Sequence, residues 1–205
     1  LIISEGIHPC IDGKGYCRTP GLYTESQAKA WRKITDAVHQ QGGLIAAQLM
    51  HCGRIGHAFN KAANAKTIAP SAITADVQLY TEQGMQALTP PQAMSEHDIQ
   101  QTLAHFSNSA KLAKAAGFDA IELHCTSGYL PAQFMATGSN QRQDQYGGTI
   151  ENRLRFVLEV LERVQVIMGA GRVGIRICPG NPFNDLNDGD PMATHQALLQ
   201  KVEAM

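Results

Sequence analysis

Apolar residues fall into two patterns along this chain. Four short, nearly continuous apolar runs occupy 1–4, 44–49, 120–124 and 173–178. Runs of this kind suit strands of a parallel sheet covered on both faces. The second run contains Ala46 and Ala47, and by pattern alone it is equally a buried helix segment. The stretches between the runs carry apolar residues at helical spacing. Over 26–41, Trp31, Ile34, Thr35 and Val38 share that spacing, and Gly42-Gly43 closes the element. Ser95-Glu96-His97-Asp98 resembles a capping box with Asp in the place of Glu or Gln. From it Ile99, Leu103, Phe106, Ala110 and Ala113 form one stripe that Gly117 ends. A third helix starts near Thr149, turns Ile150, Leu154, Val157, Leu161, Val164 and Met168 inward, and stops at Gly169. A fourth has Asp190 as its cap and Pro191 in its first turn.

Alternating strands and helices predict βαβ units. The strand starts lie about 43, 76 and 53 residues apart, so the units carry insertions. The largest, 51–94, shows no strong period, and so long a loop reads as a functional lid or a disordered segment. A doubly wound nucleotide-binding sheet would show a G-x-G-x-x-G turn or a phosphate-binding loop, and neither is present. A (β/α)8 barrel instead collects polar residues at the C-terminal ends of its strands. Here those ends carry Glu5-Gly6, Gln48 with His51, His124, and Arg176 with Pro179. A whole barrel takes about 250 residues, and four units supply half of one. The expectation is one partial barrel domain over 1–205, truncated at both ends: residue 1 already lies in a strand and 197–205 still reads as helix.

Composition narrows the function classes. The 205 residues include 17 basic and 18 acidic side chains, so no charge excess favours nucleic acid or an anionic membrane. No apolar run approaches the roughly 18 residues of a membrane span, and the first residues lack a signal-peptide pattern. Five cysteines, at 10, 17, 52, 125 and 178, form an odd set without C-x-x-C spacing. They argue against a disulfide framework, a zinc knuckle and a Cys-ligated iron–sulfur cluster, and for a reduced cytoplasm. No metal site is expected.

In a barrel, Gln48, His124, Ser127, Tyr129 and Arg176 would face one mouth. Glu5 is the only acid read at a strand end, so donors dominate. Clustered donors suit a ligand that develops negative charge, whether enolate, phosphate or reduced cofactor. Tyr129 is the natural proton source and Arg176 the permanent positive charge. Taken singly, each has a structural explanation: His124 bonding within the fold, Tyr129 packing on a helix, Gln48 and Arg176 satisfying carbonyls. Only their joint placement favours a site.

The run Ser139-Asn140-Gln141-Arg142-Gln143-Asp144-Gln145-Tyr146-Gly147-Gly148-Thr149-Ile150-Glu151-Asn152-Arg153-Leu154-Arg155-Phe156 resembles the S-N-x-R-x-D-x-Y-G-G-[ST]-x-E-N-R-x-R-F signature of the old yellow enzyme family. These are FMN-dependent ene-reductases on a (β/α)8 barrel. L-I-I-S-E-G at the start, K-G-Y-x-x-T-P-G-L-Y-T from Lys14, Q-L-x-H-x-G-R-I-x-H from Gln48, A-G-F-D-A-I-E-L-H from Ala116 and V-G-I-R-I from Val173 extend the likeness. It is closest to the bacterial N-ethylmaleimide and xenobiotic reductase branch. The resemblance implies that this chain supplies roughly strands two to five of the barrel.

By the same resemblance, Gly6 follows a barrel strand and brings its backbone to the flavin. Gln48 would bond the pyrimidine edge, and Arg176 would stabilise the anionic reduced ring. His124 and Ser127 would grip a substrate carbonyl or nitro oxygen, and Tyr129 would protonate the α-carbon. NADH or NADPH would reload the FMN, and the partner would be a small electrophilic alkene, with no nucleic acid and no membrane; a homo-oligomer is left open. Two departures count. Ser127 stands where the family has Asn or His, and Met50 where it often has Trp, so the pocket wall is more flexible. Activated C=C bonds beside a carbonyl or nitro group are the expected substrates; the alternatives are a nitro- or maleimide-type reductase and a non-catalytic barrel fragment. The loop 140–155 reads as structural. The family's phosphate-binding strands would follow residue 205, so these residues alone are expected to bind FMN weakly or not at all.

Overall fold

Two-residue periodicity decides how each strand faces, and the computed structural model, which describes residues 1–205, follows it. In chain order the elements are β1 (Ile2–Ile7), α1 (Glu25–Gln40), β2 (Ile45–Leu49), β3 (Ile68–Ala69), β4 (Gln78–Thr81), β5 (Gly84–Ala87) and β6 (Gln92–Ala93). Then come α2 (Glu96–Ala115), β7 (Ala120–His124), α3 (Leu130–Met135), α4 (Ile150–Met168), β8 (Val173–Arg176) and α5 (Pro191–Glu203). Strands β1, β2, β7 and β8 pair in that order, all parallel. Helices α1, α2, α4 and α5 cover the outer face of this sheet, which makes half of a (β/α)8 barrel.

The alternation is visible in the core. Ile45, Ala47 and Leu49 of β2, with Ile121 and Leu123 of β7, join the main apolar cluster under α2 and α4. Their neighbours Gln48, Glu122 and His124 therefore face the concave side. All five stripe residues of α2 are fully buried, as are Leu154, Phe156 and Val157 of α4. Phe134 stacks on Phe156 with centroids 4.2 Å apart, fastening α3 to α4. Burying side chains of this size stabilises by about 1.5–3 kcal/mol each.

Element boundaries depart from the sequence reading where hydrogen bonding overrides apolar pattern. Of segment 44–49, Ile45–Leu49 is a strand, because its backbone is claimed by β1 on one side and β7 on the other. Strand β1 continues past Ser4 to Ile7. Strand β8 stops at Arg176, whose partner His124 is the last residue of β7, and not at Cys178. Helix α1 begins before Ser26, because Thr24 and Gln27 form a capping box. In the same helix Ile34 is 49% exposed, so the inward stripe is narrower than its spacing suggests. The box at Ser95 and Asp98, and the cap by Asp190, form as read.

Segment 51–94 is neither featureless nor loose. It contains the β4–β5 hairpin and the short β3–β6 pair. Buried Arg54 donates to the carbonyls of Ile73, Asn184 and Asp185. Asn60 donates to Gly15 and Tyr80, and Lys61 to Asp12 and Lys66. Leu79, Leu88 and Ala75 then pack with Met50, Ile55 and Tyr129 in a second apolar cluster. The result is a fixed roof at one end of the sheet. No helix is long and apolar enough to cross a membrane.

Candidate functional site

The site begins with a bulge. Ile3 pairs with Ala46 but Gly6 with Gln48, so β1 carries one extra residue between those pairs. The insertion turns Gly6 to the concave face beside Gln48 and sends Ile7 to the helical side with Leu49. Gly6 thus lies inside β1, not after it. A Cβ there would fall 2.5 Å from both Sδ and Cε of Met50, so a side chain at 6 would require the end of the Met50 side chain to move. Met50, buried, lies over the space that Gly6 leaves.

Next along the sheet, Gln48 and Arg176 converge on one carboxylate. Gln48 Nε2 donates to Glu122 Oε1 at 2.6 Å, and Arg176 Nε donates to the same oxygen at 2.8 Å. A carboxylate can only accept, so the amide must turn its NH2 toward Glu122 and its carbonyl oxygen away. The sequence reading named Glu5 as the only acid at a strand end; Glu5 is exposed, and Glu122 is the acid of the site. Its signal was present, since Glu122 precedes His124 by two and must share its face.

His124 ends β7 and meets the ring of Tyr129 edge-on, with centroids 4.9 Å apart. Its Nδ1 is buried without a partner. Burial, followed by the charge of Arg176, pushes its pKa down to about 4, with Glu122 opposing. Near neutrality His124 is therefore an uncharged imidazole with one N–H to donate.

A tight turn delivers Tyr129. Ser127 and Gly128 both take left-handed backbone, at φ +57° and +72°. A Cβ on Gly128 would lie 2.7 Å from Asn184 Cβ, so only glycine fits. Asn184 Nδ2 clamps the Ser127 carbonyl at 2.8 Å. Tyr129 then caps α3 and its hydroxyl donates to Tyr16 at 3.0 Å. Asn184 Nδ2 also approaches the Tyr16 hydroxyl, at 3.4 Å. Burial and the Tyr16 hydrogen bond raise the pKa of Tyr129, keeping it a phenol. Of the residues read as site candidates, Gly6, Gln48 and Arg176 sit on the strands, and His124 and Tyr129 touch. The Ser127 side chain is hydrogen-bonded to neither. Tyr16 and Asn184 were missed: they lie on loops, where no period marks them, and Tyr16 was legible only as part of the K-G-Y motif.

The loop 140–155 is structural. Arg142 donates to the carbonyls of Pro70 and Met94 and pairs with Asp144. Arg153 donates to the carbonyl of Met135 and pairs with Asp188. These bonds tie loop, roof and helix together. A partly open cavity of about 180 Å³, lined in part by Cys125, Met135, Cys178 and His195, contains none of Gln48, His124, Tyr129 or Arg176.

The concave group fits a flavin ring on its own chemistry. It offers a fixed cation, a carbonyl oxygen turned outward, a glycine with no side chain, and an unpartnered buried imidazole nitrogen. Comparison with known proteins points the same way. The family model for the NADH:flavin oxidoreductase / NADH oxidase family matches residues 1–204. The chain is 37% identical over 202 residues to 12-oxophytodienoate reductase 1 of Oryza sativa subsp. japonica, covering 98% of this chain and 52% of that protein. It is 40% identical over 207 residues to a probable flavin mononucleotide-dependent alkene reductase of Leishmania infantum, covering 98% and 57%. Morphinone reductase in complex with tetrahydroNAD superposes with a TM-score of 0.91 at 39% identity, over 96% of this chain and 56% of that one. The chain thus spans about half the length of the curated relatives it matches.

Proposed function

Because the chain belongs to the NADH:flavin oxidoreductase / NADH oxidase family, we propose that the full-length protein is an FMN-dependent ene-reductase, taking reducing equivalents from NADH or NADPH. Its substrates in this reading are small alkenes activated by a carbonyl or nitro group. The observation that carries the reading is the contact of His124 with Tyr129 on the concave face that also holds Gln48, Glu122 and Arg176. When bound, the flavin would supply hydride to the substrate's β-carbon.

Everything else falls to the chain's own groups. Gly6 presents bare backbone on β1 to a ring that enters as the flexible Met50 side chain moves aside, and Gln48 and Arg176 would hold the ring's pyrimidine end. The Arg176 guanidinium is a cation and so favours a ring that becomes anionic. His124, as a neutral donor, holds the substrate oxygen and draws electron density toward it, with Ser127 as the second, shorter donor. Tyr129 donates its proton to the α-carbon, a contribution typically worth about 10²–10⁴ in rate. Tyr16 holds the Tyr129 hydroxyl in place and can turn its own O–H to the oxygen left behind. The roof from 51–94, packed on Met50 and Tyr129, keeps water from the reacting carbons.

A maleimide- or nitro-type preference is the second reading, favoured by the short Ser127 and by the flexible Met50 over Gly6. Purified full-length protein should be yellow, bleach anaerobically with NADH or NADPH, and regain its colour with cyclohexenone. Recovery with N-ethylmaleimide but not with cyclohexenone selects the second reading. Colourless protein that takes up no FMN contradicts both.

A further inference from the structure

Glu122 has been given no role toward the ligand, yet the groups assigned to the flavin meet on it. It sits centrally, paired with Gln48 on β2 and with Gly174 on β8. Its carboxylate is 16% exposed, and one oxygen receives both Gln48 Nε2 and Arg176 Nε. We propose that Glu122 is a positioning residue that sets the hydrogen-bonding sense of the site, fixing it to read an imide edge: an N–H beside a carbonyl. The proposal rests on the flavin reading above and adds to it a residue and a selectivity.

The argument is one of donors and acceptors. Glutamine presents an NH2 and a carbonyl oxygen on one flat group and can turn either way about its last bond. Facing a hydroxyl or water, both orientations would be satisfied. Facing a carboxylate, only one is, since the reverse sets two acceptor oxygens together with no hydrogen between them. Glu122 therefore commits Gln48 Oε1 to the ligand as an acceptor. It also occupies Arg176 Nε, which leaves the two terminal nitrogens of the guanidinium as the donors available to a ligand. Acceptor next to donor is the complement of an imide, the group at the pyrimidine end of a flavin. An apolar residue at 122 would leave the amide free to turn and the guanidinium free to swing, so affinity and selectivity would fall together.

The test is FMN binding by the full-length protein, stripped of cofactor and titrated by flavin fluorescence. FMN is compared with an FMN methylated at its imide nitrogen, with circular dichroism and thermal melting to confirm the fold. Wild type should prefer FMN over the methylated ring by about tenfold or more, one oriented hydrogen bond's worth. Glu122→Ala should weaken FMN by about tenfold or more and erase most of that preference. Glu122→Gln should recover much of the FMN affinity but only part of the preference, because a glutamine at 122 can accept or donate and no longer dictates the sense of Gln48. Glu122→Ala weakening both ligands equally, or binding FMN as wild type does, overturns the proposal. If Glu122→Ala does not fold, a wild-type preference retained in Glu122→Gln overturns it. Wild type that binds neither ligand overturns the flavin reading itself, and this inference with it.

Discussion

The hydroxyl of Tyr129 lies 3.0 Å from that of Tyr16, and the two rings meet edge to face at 88°. Residues 113 positions apart thus share one proton bridge at the roof of the sheet. Tyr129 is buried, so removing the Tyr16 oxygen strands a buried donor. Tyr16→Phe should lower stability to urea by about 1–3 kcal/mol. An unchanged unfolding midpoint would show that the bridge does not hold Tyr129.

Acid should weaken the fold through its histidines. His124 and His8 are pushed down to about 4, each first by burial and then by nearby positive charge, and His51 is lowered well below its ordinary value by burial. An unfolded chain binds protons at His124 and His8 near pH 6.5, the folded one only near 4, and folding weakens proton binding at His51 in the same direction. Stability is therefore full above about pH 6.5 and is lost as pH falls from there toward 4, by up to about 1.4 kcal/mol per pH unit for each histidine. Urea unfolding at pH 7 and pH 5 measures it, and His124→Gln should flatten the slope by one histidine's share. Equal stability at the two values would contradict the assignment.

Gly128→Ala should be costly. The backbone there is left-handed, and the new methyl would meet Asn184 Cβ at 2.7 Å and the Phe183 carbonyl oxygen at 2.9 Å. Strain and overpacking together should remove about 2 kcal/mol or more. Tyr129, the next residue, should be displaced as well. A variant with native melting and native alkene reduction would rule out the constraint.

Ser127→Asn should help twice. Asn tolerates left-handed backbone better than Ser, so melting should rise slightly. Its longer side chain should reach a substrate oxygen, raising the rate of cyclohexenone reduction by about tenfold or more. Slower turnover in a well-folded variant would show that Ser127 is not a substrate contact.

How much of this was legible depends on the kind of information each residue carries. Short, nearly continuous apolar runs gave the four sheet strands, and the polar residues at their C-terminal ends gave the common mouth of Gln48, His124 and Arg176, because parallel strands of a barrel all end on one side. Caps at Ser95 and Asp190 were readable because their bonds close within three residues. The bulge that brings Gly6 beside Gln48 was not, since it arises from pairing with β2 and leaves no trace in β1 alone. Glu122 was passed over because acids were sought only at strand ends, and the bonds that define it come from two other strands. The hairpin β4–β5 and the six-residue α3 are too short to show a period. The meeting of Tyr16, Tyr129 and Asn184 is a property of folded loops.

The central claim is that Tyr129 delivers a proton to a substrate reduced over FMN, and splitting the catalytic cycle tests it most directly. Full-length wild type and Tyr129→Phe are reduced anaerobically with NADH or NADPH, then mixed with cyclohexenone while flavin absorbance is followed. Flavin reduction should be unchanged in Tyr129→Phe, and reoxidation by the enone should slow by about 10²-fold or more. Equal loss in both halves, or none in the second, would contradict the account.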